Sequence, residues 1–149
     1  MDSSLSAKME DYLETIFFLE KENRVVRVKQ ISESMDVKNS SVHSALHQLS
    51  AKGLVEHEHY GYVNLTDNGR CLARRLEKKH ILLARFLHKY LGVKEEQAEE
   101  EACLIEHVMS DNTVHNLEKF LFFLSGNKIV MEKWLSRTAK PNTEWKGDN

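Results

Sequence analysis

Three side chains with metal-binding chemistry fall at offsets 0, +3 and +4 in the stretch Glu100-Glu101-Ala102-Cys103-Leu104-Ile105-Glu106-His107-Val108-Met109-Ser110. On a helix, Cys103, Glu106 and His107 share one face. They offer a thiolate, a carboxylate and an imidazole, a mixed set that suits a transition metal better than calcium or magnesium. The competing reading is structural. Cysteine is often buried, a single helical histidine commonly hydrogen-bonds, and Glu106 would serve equally well on a solvated face. Three donors do not complete a coordination shell, so the rest of the chain must supply others or leave the cluster as packing.

The elements that would position them are readable from the apolar spacing. Met9, Tyr12, Leu13, Ile16, Phe17 and Leu19 predict an amphipathic helix from about Ser6 to Glu20. Asp11 and Glu14 sit three apart on it, beside the apolar stripe, where surface charge near a helix N-terminus is also favoured by the macrodipole. A short second helix is expected over residues 28–35, with a tight turn at 36–39. A third runs from about Ser40 to Lys52 and stops at Gly53. Val42, Leu46 and Leu49 form its inward face, and short polar groups (Asn39, Ser40, His43, Ser44, His47) line the other. Such a helix can lie close to base edges in a major groove.

Alternation from Leu54 to Leu65 around Gly61 then predicts two strands, completing a winged helix-turn-helix. His57 and His59 would share a strand face; with Tyr60 they fit phosphate contacts better than a zinc site. The candidate DNA-contacting residues are Arg27, Lys38, Asn39, Ser40, Ser41, His43, Ser44, His47 and Tyr60. A long fourth helix, capped by Thr66, continues through Tyr90 to Gly92. It carries Arg70, Arg74, Arg75, Lys78 and Lys79, and then His80. The acidic run from Glu95 to Glu101 opens a fifth helix ending near Ser110. A sixth spans residues 112–124, with Val114, Leu117, Phe120, Leu121 and Leu124 on an apolar face. A seventh covers about 129–139, with Val130, Trp134 and Leu135.

The chain has 149 residues, 41% hydrophobic and 30% charged, with a net charge of −2. It fits one ordinary domain or two small ones. Residues 1–80 hold 12 Lys/Arg and 12 Asp/Glu, and residues 81–149 hold 9 and 11, so DNA binding would need a localised positive surface. No apolar run spans a bilayer and the start lacks signal-peptide character, which leads to an expected cytoplasmic location without membrane association. Cys71 and Cys103 make no disulfide framework, and a reducing compartment leaves Cys103 free to ligate.

Several motifs in order resemble the diphtheria-toxin-repressor and manganese-transport-regulator family of metal-dependent repressors over nearly the whole length. These are Met9-Glu10-Asp11-Tyr12-Leu13-Glu14-Thr15-Ile16, Ser41-Val42, Lys52-Gly53-Leu54-Val55, Leu65-Thr66, Lys79-His80 and the stretch from Ala102 to Ser110. The resemblance implies a mainly α fold, an N-terminal winged helix-turn-helix followed by an all-helical dimerisation and metal-binding domain. The expected boundaries are 1–71, 72–140 and a flexible tail at 141–149. It also implies metal ligation by Asp11, Glu14, His80, Cys103, Glu106 and His107. Asp11 and Glu14 look like the manganese-type regulators, and Cys103 like the iron-responsive branch. Ala84 stands where that branch has a carboxylate in its second site. Longer members carry an SH3-like domain, for which this chain has no room.

The implied effector is Fe(II) or Mn(II), with iron slightly ahead because a thiolate is soft; zinc, cobalt or nickel are expected to bind in vitro. The implied partners are a second copy of the chain and double-stranded DNA with a palindromic operator. The function expected is a non-enzymatic transcriptional regulator, a repressor of metal-uptake genes, in which metal docks the two halves. The rivals are a metal-independent winged-helix regulator, a helical metalloenzyme and a protein-interaction adaptor.

Overall fold

The computed structural model describes residues 5–23, 25–57 and 61–138. Two compact units divide the chain at Lys78/Lys79. The expected tail and Tyr60 lie outside the described residues.

In the first unit, α1 (Ala7–Glu22) buries Tyr12, Leu13, Ile16, Phe17 and Leu19, the residues whose spacing predicts it. Asn23 ends the helix in extended conformation, its side-chain amide donating to the Leu19 carbonyl at 3.0 Å. A two-residue strand, β1 (Val26–Arg27), leads directly into α2 (Val28–Ser34). Asp36, at φ 50°, turns the chain towards α3 (Asn39–Ala51). Val42, Ala45, Leu46 and Leu49 are buried beneath α3, while Asn39, Ser40, His43, Ser44 and His47 are exposed.

Gly53, at φ 68°, allows the reversal into β2 (Val55–His57) and β3 (Tyr62–Leu65). The sheet order is β1-β3-β2 and both pairings are antiparallel, with Val26 opposite Val63 and Val55 opposite Leu65. Val63 and Leu65 alternate inward as the pleat requires. β1 escaped the sequence reading because two residues cannot display an alternation; pairing with β3 makes them a strand. Glu20 fastens three elements, accepting from the Leu65 amide at 2.8 Å and from the Arg70 guanidinium at 3.2 Å.

α4 (Asp67–Arg85) begins in the first unit and ends in the second. Thr66 caps it as expected, accepting from the Gly69 amide at 3.0 Å and donating to the Gly53 carbonyl at 2.7 Å. In the second unit its extension widens into a π-helical turn, Phe86–Tyr90, before Gly92 reverses the chain at φ 72°. α5 (Glu95–Glu106), α6 (Asp111–Ser125) and α7 (Lys128–Thr138) follow.

The core of this unit is built from Leu83, Ala84, Leu87, Ala98 and Ala102, with a second cluster of Leu82, Tyr90 and Leu121. Ala98 and Ala102, one turn apart, give α5 a flat buried face. Ala84 is only 6% exposed within the core, so a carboxylate there would be buried among apolar groups. On α6 only Leu121 is fully buried. Phe120 and, on α7, Val130, Trp134 and Leu135 remain substantially exposed, so the predicted apolar faces are only partly covered. No described helix is long and apolar enough to cross a membrane.

Candidate metal centre and nucleic-acid interface

Within the second unit the chemistry converges on Glu106. Its side chain is only 2% exposed, and its Oε2 lies 2.8 Å from His80 Nδ1. Its Oε1 lies 3.6 Å from His107 Nε2. The other ring nitrogen of His80 meets Glu99 Oε2 at 2.7 Å. A carboxylate so deeply buried needs positive charge or donors beside it, and two imidazoles provide the flanks. The hydrogen bond that His80 donates to Glu106 raises the His80 pKa to about 9; burial opposes the shift and Glu99 adds to it.

α5 ends at Glu106, earlier than expected, and His107 occupies the C-cap in helical conformation. The cause is local. The Val108 and Met109 amides both donate to the Ile105 carbonyl, Ser110 caps α6, and Lys79 takes the Met109 carbonyl. These bonds fix the turn that carries His107. Cys103 lies one turn earlier on α5 and is exposed. Asp11 and Glu14 are half-buried on one face of α1 in the first unit.

The donor set fits a divalent first-row transition ion. In the second unit, the imidazoles of His80 and His107 and the thiol of Cys103 are borderline-to-soft donors, and the buried Glu106 carboxylate is a hard one. Sequence reasoning missed Glu99, which it treated as part of a generic acidic helix start. The signal was present in the spacing, since Glu99, Cys103 and Glu106 recur at i, i+4 and i+7 along one face of α5.

The exposed face of α3 belongs to the first unit. An open hollow of about 390 Å³ lies between its first turns and α1, lined by Lys8, Met9, Tyr12, Ser40, Ser41 and Ser44 among others. The Tyr12 hydroxyl is buried there with no hydrogen-bond partner among the described residues, and burial raises its pKa. Lys8 was not anticipated as part of this surface. Arg27 is held on the sheet, its guanidinium 5.1 Å from the Tyr62 ring centroid and 3.3 Å from the Tyr62 hydroxyl. Its backbone amide donates to Gln30, closing the start of α2. Lys38 precedes α3 as its N-cap and is exposed.

Two family models match successive parts of the chain. Residues 4–63 match the iron dependent repressor N-terminal DNA binding domain, and residues 66–134 match the iron dependent repressor metal binding and dimerisation domain. An uncharacterised HTH-type transcriptional regulator of Methanocaldococcus jannaschii is 34% identical over 78% of this chain and 94% of its own length. The HTH-type transcriptional regulator MntR of Geobacillus kaustophilus is 36% identical over 83% of this chain and 87% of its own. Among solved structures, a manganese-dependent transcriptional repressor in complex with manganese superposes with a TM-score of 0.70 at 32% identity. The match covers 77% of this chain and 53% of that one, so this chain spans about half the length of that solved relative.

Proposed function

Because this chain belongs to the iron-dependent repressor family, we propose that it is a metal-dependent, DNA-binding transcriptional regulator that represses metal-uptake genes in the cytoplasm. The observation that carries the reading is Glu106, 2% exposed and flanked by His80 and His107. Asp11 and Glu14 from the first unit, and His80, Cys103, Glu106 and His107 from the second, are the proposed ligands. When bound, Fe(II) or Mn(II) supplies the positive charge that lets carboxylates from the two units share one centre.

The residues of the chain do the rest. Without a cation, carboxylates brought together from α1 and α5 repel one another, which opposes docking of the two units. Occupancy selects the docked arrangement. The second unit exposes Phe120, Phe122, Phe123 and Ile129, an apolar surface suited to a homodimer. A dimer presents two copies of α3, about 34 Å apart, to successive major grooves of a palindromic operator. On α3 the proposed DNA contacts are Asn39, Ser40, Ser41, His43, Ser44 and His47, joined by Arg27, Lys38 and Tyr60. We assign no catalytic role.

One observation favours a metal-independent regulator: His80 already gives Glu106 a charged hydrogen-bond partner. Capture of genomic DNA fragments by the purified protein, anaerobically and at fixed salt, separates the two readings. Selective capture with Fe(II) or Mn(II) and none with chelator is expected. Equal capture with chelator would reduce the cluster to packing.

A further inference from the structure

The hollow between α1 and the first turns of α3 has the chemistry of an anion site. It is lined by Tyr12, only 1% exposed, whose hydroxyl has no hydrogen-bond partner among the described residues. Buried hydroxyls are almost always paired, so one left alone beside an open space marks a place where a partner arrives. Lys8, one turn before Tyr12 on α1, brings an ammonium to the same hollow, and Ser40, Ser41 and Ser44 of α3 bring three hydroxyls. None of the described residues lining it is acidic. The start of α3 adds to this. No side chain caps it and its first turn holds no acid, so the positive end of a helix of 13 residues is left uncompensated.

These groups decide the sign and size of the occupant. Ammonium, hydroxyl hydrogens and helix amides all donate, which rejects a cation and fits the oxygens of an anion. One ammonium and the partial charge of one helix end balance about a single negative charge, that of a phosphodiester rather than of a free phosphate dianion. The side chains around the hollow include Lys8, Met9 and Gln48, which are long and unbranched, so rotamer changes open a path to the covered hydroxyl.

We propose that this hollow clamps a backbone phosphodiester of DNA, with Lys8 and Tyr12 of α1 as contacts beside Ser40, Ser41 and Ser44 of α3. The proposal rests on the reading of α3 as the DNA-contacting helix and extends that surface to α1. Backbone contacts fix register and carry no sequence information. The clamp therefore sets how α3 seats in the groove, and its loss weakens every bound sequence alike.

The test is the DNA affinity of the full chain at saturating Mn(II), measured anaerobically on several fragments that the parent captures and over a range of salt. Tyr12→Phe removes one hydroxyl and nothing else. It should weaken each fragment by a similar factor, roughly ten-fold, the scale of one hydrogen bond to a charged group. The urea midpoint of the DNA-free variant should stay level or rise, because no pairing is lost. Lys8→Gln should weaken binding and lower the slope of log affinity against log salt by about 1, the share of one phosphate contact. Parent-like affinity and salt slope in both variants, with capture by the parent intact, would overturn the clamp alone. A lower urea midpoint in Tyr12→Phe without a change in affinity would also overturn it, by giving the hydroxyl a structural role. No capture by the parent under any metal condition would remove the recognition-helix reading and the clamp with it. Inorganic phosphate, titrated in a second arm, separates the two sources of the anion. If it raises the urea midpoint of the parent but not of the variants, and the variants bind DNA as the parent does, the site takes the free anion and the proposal fails.

Discussion

Glu106 gathers the chemistry of the second unit because it is an ionisable group in a nearly dry position with an imidazole on either side. Glu99 is its less obvious companion, holding His80 from the solvent side at 2.7 Å. Glu99→Gln should leave the fold intact and weaken Mn(II) affinity by roughly 10- to 100-fold, the usual cost of disturbing a partner that orients a ligand; isothermal titration measures it. His80 also gives the metal-free chain a pH signature. Its folded pKa of about 9 exceeds the ordinary 6.5, so the stabilisation is complete below pH 6.5 and is lost as pH rises through about 9. Urea midpoints in chelator should fall across that window, and His80→Gln should flatten the fall. The sequence made Cys103, Glu106 and His107 visible because their spacing is local. Glu99 was hidden in a run of like residues, and only the position of His80 on α4 singles it out.

Among the elements, the first turn of α4 is the tightest junction. A Cβ at Gly69 would lie 2.0 Å from the Leu54 carbonyl oxygen, a backbone atom that cannot swing aside. Gly69→Ala should therefore destabilise the first unit by about 1–3 kcal/mol, as overpacking does, despite the better helix propensity of alanine. Equilibrium denaturation should show the loss with little change in the circular dichroism of the folded state. Long amphipathic elements were legible: every apolar residue that defines α1 is buried or partly buried. Short or closing features were not. β1 depends on β3, the π-helical turn at Phe86–Tyr90 depends on its surroundings, and α5 stops at Glu106 because Lys79 and Ser110 engage the following turn.

At the scale of the whole molecule, metal and DNA are two ligands of one proposed equilibrium. Under the proposed function, the ligands contributed by the units on either side of Lys78/Lys79 would bind one cation only together, and that occupancy would favour DNA binding by α3. The division of labour was legible because the patterning changes after the wing, from a helix with a polar, hydroxyl-rich face to helices bearing metal donors and apolar surface. The pairing of His80 with Glu106 was not, since it joins residues 26 apart in the sequence. Linkage requires that the factor by which metal tightens DNA binding equals the factor by which DNA tightens metal binding. The most direct test is Mn(II) affinity, measured anaerobically with and without a DNA fragment captured by the protein, beside DNA affinity with and without Mn(II). Equal factors, both well above one in the parent and both near one in Glu106→Gln, are the predicted result. Mn(II) affinity unchanged by DNA in the parent would contradict the account.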